Sequence, residues 1–143
     1  MHLIPMGNGV NMLKIFNAQI WLLIFAVINF IGGSLPLLLD NEGSAEHTWG
    51  IGSALAHDPY YEMTIGIMIA LLTVLAFGLA FFTSGVARAK MAALLGVSML
   101  LCMIILTSYG NSSGTSNPGI ILIIPFTVFS GLALSGFLNL KGE

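Results

Sequence analysis

Between Asp40 and Glu62 the chain reads DNEGSAEHTWGIGSALAHDPYYE, and this stretch gathers most of the side chains able to bind or react. It holds five of the six acids, two of the three histidines, one of two tryptophans and two of three tyrosines. Glu46-His47, His57-Asp58 and Glu62 present imidazole nitrogens and carboxylate oxygens, donors that suit zinc or copper. His47, His57, Asp58 and Glu62 are therefore candidate metal ligands, although the ten-residue step between the histidines is not a recurring ligand spacing. Asp58 and Glu62 also have a purely structural explanation. Asp58-Pro59 has the form of an N-cap followed by proline at the first helical position. An acid in the first turn is favoured by the helix dipole. Trp49, Tyr60 and Tyr61 suit an aromatic belt at a membrane–water boundary. They are equally the side chains through which the stretch would dock a partner.

Little chemistry is legible elsewhere. No nucleophile has a base at plausible spacing, and there is no Gly-rich phosphate loop or Cys-x-x-Cys pair. A lone cysteine, Cys102, excludes an intramolecular disulfide framework and a cysteine metal cluster. It falls deep in an apolar run, where an apolar setting disfavours the thiolate. No enzymatic activity of the chain's own is expected. Met68, Met99 and Met103 read as gap fillers in apolar packing. No cofactor is expected beyond bound lipid, with zinc or copper as the alternative.

The elements that must position the 40–62 stretch follow from composition. Of 143 residues, 57% are hydrophobic and 7% charged, with a mean hydropathy of +0.97. A soluble domain carries about 25% charged residues. Ten charges cannot coat a globular surface, and four Lys/Arg are too few for a nucleic-acid interface. The chain reads as one membrane domain over residues 1–143. Four apolar runs approach the roughly 20 residues needed to cross a core of about 30 Å. They lie at 15–39, 63–83, 91–108 and 120–140, and no charged residue lies inside any of them. The run from Ile65 to Phe82 has Thr73 as its only polar side chain, so it lacks the alternation of a membrane β-strand. The expected architecture is an all-α integral membrane protein. Four transmembrane helices form an antiparallel bundle, with a long outer loop at 40–62 between the first two. The first run, at about 25 residues, exceeds a signal-peptide core and is read as an uncleaved helix.

Orientation follows from charge. Lys14, Arg88, Lys90 and Lys141 fall on one side of a four-span chain, and the acids of the 40–62 stretch fall on the other. The positive-inside rule then places both termini in the cytoplasm and 40–62 outside, in a plasma or inner membrane. The Arg88/Lys90 segment is expected to be a loop of about seven residues. The second outer loop, GNSSGTSNPG, is expected to be a solvated connector, with Asn111-Ser112-Ser113 matching a common glycosylation pattern. Within 40–62, the weakly amphipathic segment Trp49–Ala56 is expected to form a short surface helix.

Packing in lipid relies on close approach and hydrogen bonds. Small residues recur at four-residue spacing: Gly66 and Ala70, Ala76 and Ala80, Ala89 and Ala93, Ala92 and Gly96, Gly131 and Ser135. Asn29, near mid-span, should bond a neighbouring helix, with Thr73 or Ser98 as its partner, because an unpaired amide in hydrocarbon costs several kcal/mol. Pro36 and Pro125 should kink their helices and open a shallow outer cavity.

The absence of in-span ionisable groups argues against a proton pump, a voltage sensor or a charge-coupled transporter. It also removes in-span histidine ligands for haem or chlorophyll. The sequence therefore points to a non-catalytic accessory subunit of a larger membrane complex of respiratory, photosynthetic or membrane monooxygenase type. Its partners would be other integral membrane subunits and the bilayer. The alternatives are a homo-oligomeric carrier or channel for a neutral solute, with Asn29, Thr73 and Ser98 lining the path, or a metal-binding membrane protein using His47 and His57.

Overall fold

A computed structural model describes residues 15–112 and 119–141, and every element within them is helical. Helix α1 spans Ala18–Leu39, α2 Asn41–Trp49, α3 Asp58–Phe82, α4 Gly85–Ser112 and α5 Gly119–Leu138. Three stretches are long and apolar enough to cross a membrane: Ala18–Leu39, Asp58–Phe82 and Gly85–Gly110. At 1.5 Å per residue each exceeds the hydrocarbon thickness of about 30 Å. In the fourth apolar helix, the segment Leu122–Leu138 is shorter, roughly 25 Å by the same rise. The chain divides into two compact units, Leu23–Gly78 and the remainder.

In the Leu23–Gly78 unit, α1 is interrupted by a π-helical turn at Asn29–Ser34. The sequence expectation was a loosening at Pro36. The change of register falls one turn earlier, with the Leu35 N–H donating to the Phe30 carbonyl, five residues back. Pro36 has no N–H to donate, so the turn before it is free to widen and the helix continues to Leu39. Ser34 is fully buried, and its hydroxyl donates to the Gly66 carbonyl of α3 at 2.8 Å. Glycine is required opposite: a Cβ at Gly66 would stand 2.9 Å from the Leu37 Cβ. Buried Asp58, Glu62, Gly66, Thr73 and Ala76 share one face of α3 at spacings of three, four and seven residues. Ala70, expected on the same seam, is only half-buried.

The expected neighbour of Asn29 is not the observed one. Its side-chain amide donates to the Phe25 carbonyl of its own helix at 2.8 Å. Thr73 likewise donates to Ile69 in α3 at 3.0 Å, and Ser98 is exposed. One-turn bonds to the i−4 carbonyl satisfy the polar groups without a second helix.

The other unit is built on a seam of small residues between α4 and α5. Ala89, Ala92, Ala93 and Gly96 of α4 are buried, as are Gly131, Leu132, Ala133, Ser135 and Gly136 of α5. A Cβ at Gly96 would stand 2.9 Å from the Ala133 Cβ, and one at Gly136 would stand 2.6 Å from the Ala89 carbonyl oxygen. As residue numbers rise along α4 they fall along α5, so the two helices run antiparallel. Added methyls would collide with backbone, which is the close approach that membrane helices exploit. Trp21 lies over Gly131, where any Cβ would overlap its six-membered ring. Its indole N–H donates to the Ile15 carbonyl at 3.0 Å, and its ring stacks on Phe16 at 5.7 Å.

The expected Arg88/Lys90 loop is helix instead. Only Thr83 and Ser84 separate α3 from α4, and both basic residues lie in the first turns of α4. Ala, Arg and Lys are strong helix formers, which extends the helix toward its N-terminus past the apolar run. Gly85 opens it at φ +51°, a left-handed value that costs glycine nothing. The second outer loop falls largely outside the described residues: α4 runs to Ser112 and α5 starts at Gly119, with 113–118 undescribed.

Candidate functional site

The 40–62 stretch is locally folded. Asp40 caps α2 by accepting the Gly43 N–H at 3.0 Å. A side chain at Gly43 would collide with that carboxylate. Gly50, at φ +96°, ends the helix and donates to the Glu46 carbonyl at 2.8 Å. The short helix is therefore 41–49, preceding the expected 49–56, and turns lie at 51–53 and 56–57. The deciding signals are a capping aspartate and a glycine stop, which outweigh weak amphipathicity.

α3 begins at Asp58, five residues earlier than the apolar run alone implied. The Asp58 carboxylate turns back toward the preceding chain and accepts the Leu55 N–H at 2.6 Å. Its other oxygen lies 3.5 Å from the His57 Nε2. Asp58 and Glu62 are each only 7% exposed, which places both acids on the inward face of α3. The His57 ring meets Tyr61 edge-on at 5.4 Å, and Tyr61 meets Tyr60 at 5.9 Å.

Two cavities flank this segment within the unit. One, of about 390 Å³, is lined by Trp49, Ser53, Leu55, His57, Asp58 and Tyr61. The other, of about 320 Å³, includes Asp40, Ser44, His47 and Thr48 in its lining. His57 and Asp58 thus come together, while His47 opens onto a different cavity. Among the described residues no three of His, Cys, Asp or Glu gather as a metal site. Trp49, Tyr60 and Tyr61 are all exposed, but only Trp49 and Tyr61 share a cavity.

A polar cluster that the sequence did not announce lies at the start of α4. Arg88 donates from Nη1 to the Gln19 Oε1 at 3.0 Å and from Nη2 to the Thr83 carbonyl. Its Nε is buried without an acceptor among the described residues. It borders a cavity of about 20 Å³ lined also by Asn17, Gln19 and Asn139, the size of one water molecule. Asn139 donates to the Phe16 carbonyl at 2.7 Å and to Ser135 at 2.7 Å. Polar residues at the ends of apolar runs were the available signal, but their pairing across 69 and 123 positions leaves no local pattern.

A fourth cavity, of about 380 Å³, lies between α4 and α5, lined by apolar side chains together with Thr107 and Ser108. The Thr107 hydroxyl is bonded to the Met103 carbonyl at 2.7 Å. Cys102 is exposed on α4.

These features define an all-helical protein with three helices able to cross a membrane and a folded acidic–aromatic segment between the first two. No protein-family model, curated protein or solved structure matches the chain.

Proposed function

We propose that the protein is a non-catalytic subunit of a larger membrane complex of respiratory, photosynthetic or membrane monooxygenase type. In this reading α1, α3, α4 and α5 are four spans of an antiparallel bundle in a plasma or inner membrane. Both termini are cytoplasmic and 40–62 faces outward. The four basic residues support that orientation.

The observation that carries the reading is a folded outer segment whose large apolar groups are exposed. Trp49, Ile51, Leu55, Tyr60 and Tyr61 are all exposed, Ile51 by 89%. Ordering backbone costs about 1–2 kcal/mol per residue. The acids beside these groups, Asp40, Glu42 and Glu46, are repelled by anionic headgroups, so a basic or polar protein surface covers the segment better than lipid alone. Other integral membrane subunits and lipid then cover the apolar faces of the long helices.

Native mass spectrometry of detergent extracts containing the untagged protein tests this. The expected result is co-recovery with other membrane subunits, lost on Trp49→Ala. Recovery only as a monomer or homodimer overturns it.

A further inference from the structure

We propose that the cavity walled by Trp49, His57 and Tyr61 binds an organic ammonium cation of the size of a choline or ethanolamine group. The site is open in the purified chain, and Trp49 and Tyr61 are also side chains that the partner reading covers.

The cavity, about 390 Å³, falls in the range of small-molecule pockets, roughly 300–1,000 Å³. Three of its six lining residues carry rings: Trp49, His57 and Tyr61. His57 and Tyr61 are in edge-to-face contact at 88°, which leaves the remaining ring faces to the cavity, and Trp49 supplies a further ring. Ring faces attract cations, and quaternary ammonium groups are held in such aromatic enclosures.

The polar lining sets the sign of the ligand. Asp58 contributes a carboxylate that is 7% exposed and fixed in place by the Leu55 N–H at 2.6 Å. Between Asp40 and Glu62 there are five acids and no lysine or arginine, and His57, 3.5 Å from Asp58, is the basic group beside that carboxylate. An anion is therefore repelled. A hard metal cation needs six or more oxygen ligands, and no group of three metal-donor residues exists among the described residues. A neutral ligand gains at most a hydrogen bond from the carboxylate, without charge pairing. A large, weakly hydrated organic cation satisfies both the rings and the acid. Asp58 opens α3, one of the three helices able to cross the membrane, so the cavity lies by the end of a span, where ammonium headgroups are concentrated.

Two sources share this chemistry: a lipid headgroup and a soluble cation. The test is calorimetric titration of choline chloride into the purified chain in a choline-free detergent, against sodium chloride at equal ionic strength. Saturable binding is expected. Tyr61→Leu and Trp49→Leu should each weaken it by about 2- to 30-fold, the range of a single cation–π contact. Asp58→Asn should weaken it as well. If that variant does not fold, the exposed Tyr61 and Trp49 positions still decide. Tyr60→Leu should weaken binding less than Tyr61→Leu, since Tyr60 packs on Tyr61 but does not line the cavity, whereas a generic aromatic belt would treat both tyrosines alike.

The titration is then repeated in nanodiscs. Loss of the choline response in phosphatidylcholine discs, with retention in phosphatidylglycerol discs, assigns the site to a lipid headgroup. Retention in both assigns it to a soluble cation. No saturable response beyond sodium chloride overturns the proposal, as does equal weakening by Tyr60→Leu. Binding of a lysine-rich peptide without binding of choline also overturns it and gives the cavity to a partner protein's side chain.

Discussion

Ser34 on the π-helical turn of α1 gives its hydroxyl proton to the Gly66 carbonyl of α3, 2.8 Å away, in a fully buried position. Asn29, five residues earlier, spends its amide on its own helix. Interhelical polar contacts in membranes are worth about 0.6–1.7 kcal/mol. Ser34→Ala should destabilise the protein by roughly that amount, and Asn29→Leu by less. Denaturation in mixed micelles measures both, and a larger loss for Asn29→Leu would contradict the assignment.

The α4–α5 seam should not tolerate bulk. Gly136→Leu and Gly131→Leu force side chains into Ala93 backbone and the Trp21 ring respectively. Overpacking of this kind costs about 1–3 kcal/mol and often more where backbone must move. Gly32, where an added methyl would meet no atom within 4 Å, serves as the control. Gly32→Ala should be neutral or stabilising by up to about 1 kcal/mol. Thermal unfolding of detergent-purified variants, followed by circular dichroism, ranks the three.

Arg88 and Gln19 should be coupled. A double-mutant cycle with Arg88→Ala and Gln19→Ala is expected to return about 0.5–1.5 kcal/mol. Arg88→Lys should recover little of it, because a single ammonium cannot reach Gln19 and the Thr83 carbonyl together as the guanidinium fork does. Additive single effects would show that the contact carries no energy.

Cysteine labelling reports depth and side. Cys102 is exposed on the chain but lies near the middle of α4. In intact membranes it should resist a charged maleimide and react once denaturing detergent is added. In a Cys102→Ser background, Ser44→Cys should label from outside the cell and Ala87→Cys should not. The reverse pattern would invert the proposed topology.

The long apolar helices were legible because lipid exposure demands uninterrupted apolar side chains, a signal carried along the length of α3 and α4. Gly66, Ala92 and Gly96 were legible as packing positions because small size is the one property that close approach requires. Helix α2 was hidden by its polar composition. Its limits depend on one Asp–Gly cap and one glycine of positive φ rather than on periodicity. The start of α4 was missed because charge was taken to mark a loop, whereas arginine and lysine continue a helix readily into the headgroup region. In the outer segment the residue types were plain. Which histidine met which acid depended on turns at 51–53 and 56–57 that no spacing rule specifies.

The π-helical turn has a further consequence for how α1 can change. A ring closed over five residues contains one residue more than an α-helical ring. Every side chain beyond Ser34 is therefore rotated by about 100° from where an uninterrupted helix would carry it. The turn behaves as a one-residue insertion stored inside a continuous helix, with its backbone groups still bonded, as hydrocarbon requires. Removing one residue between 29 and 33 would let α1 close into regular α-helix. Ser34 would keep its direction toward Gly66, because only the stored residue is lost, whereas closing the turn at full length would swing Ser34 away by about 100°. The turn thus absorbs one residue of length in α1 while leaving the direction of everything that follows unchanged.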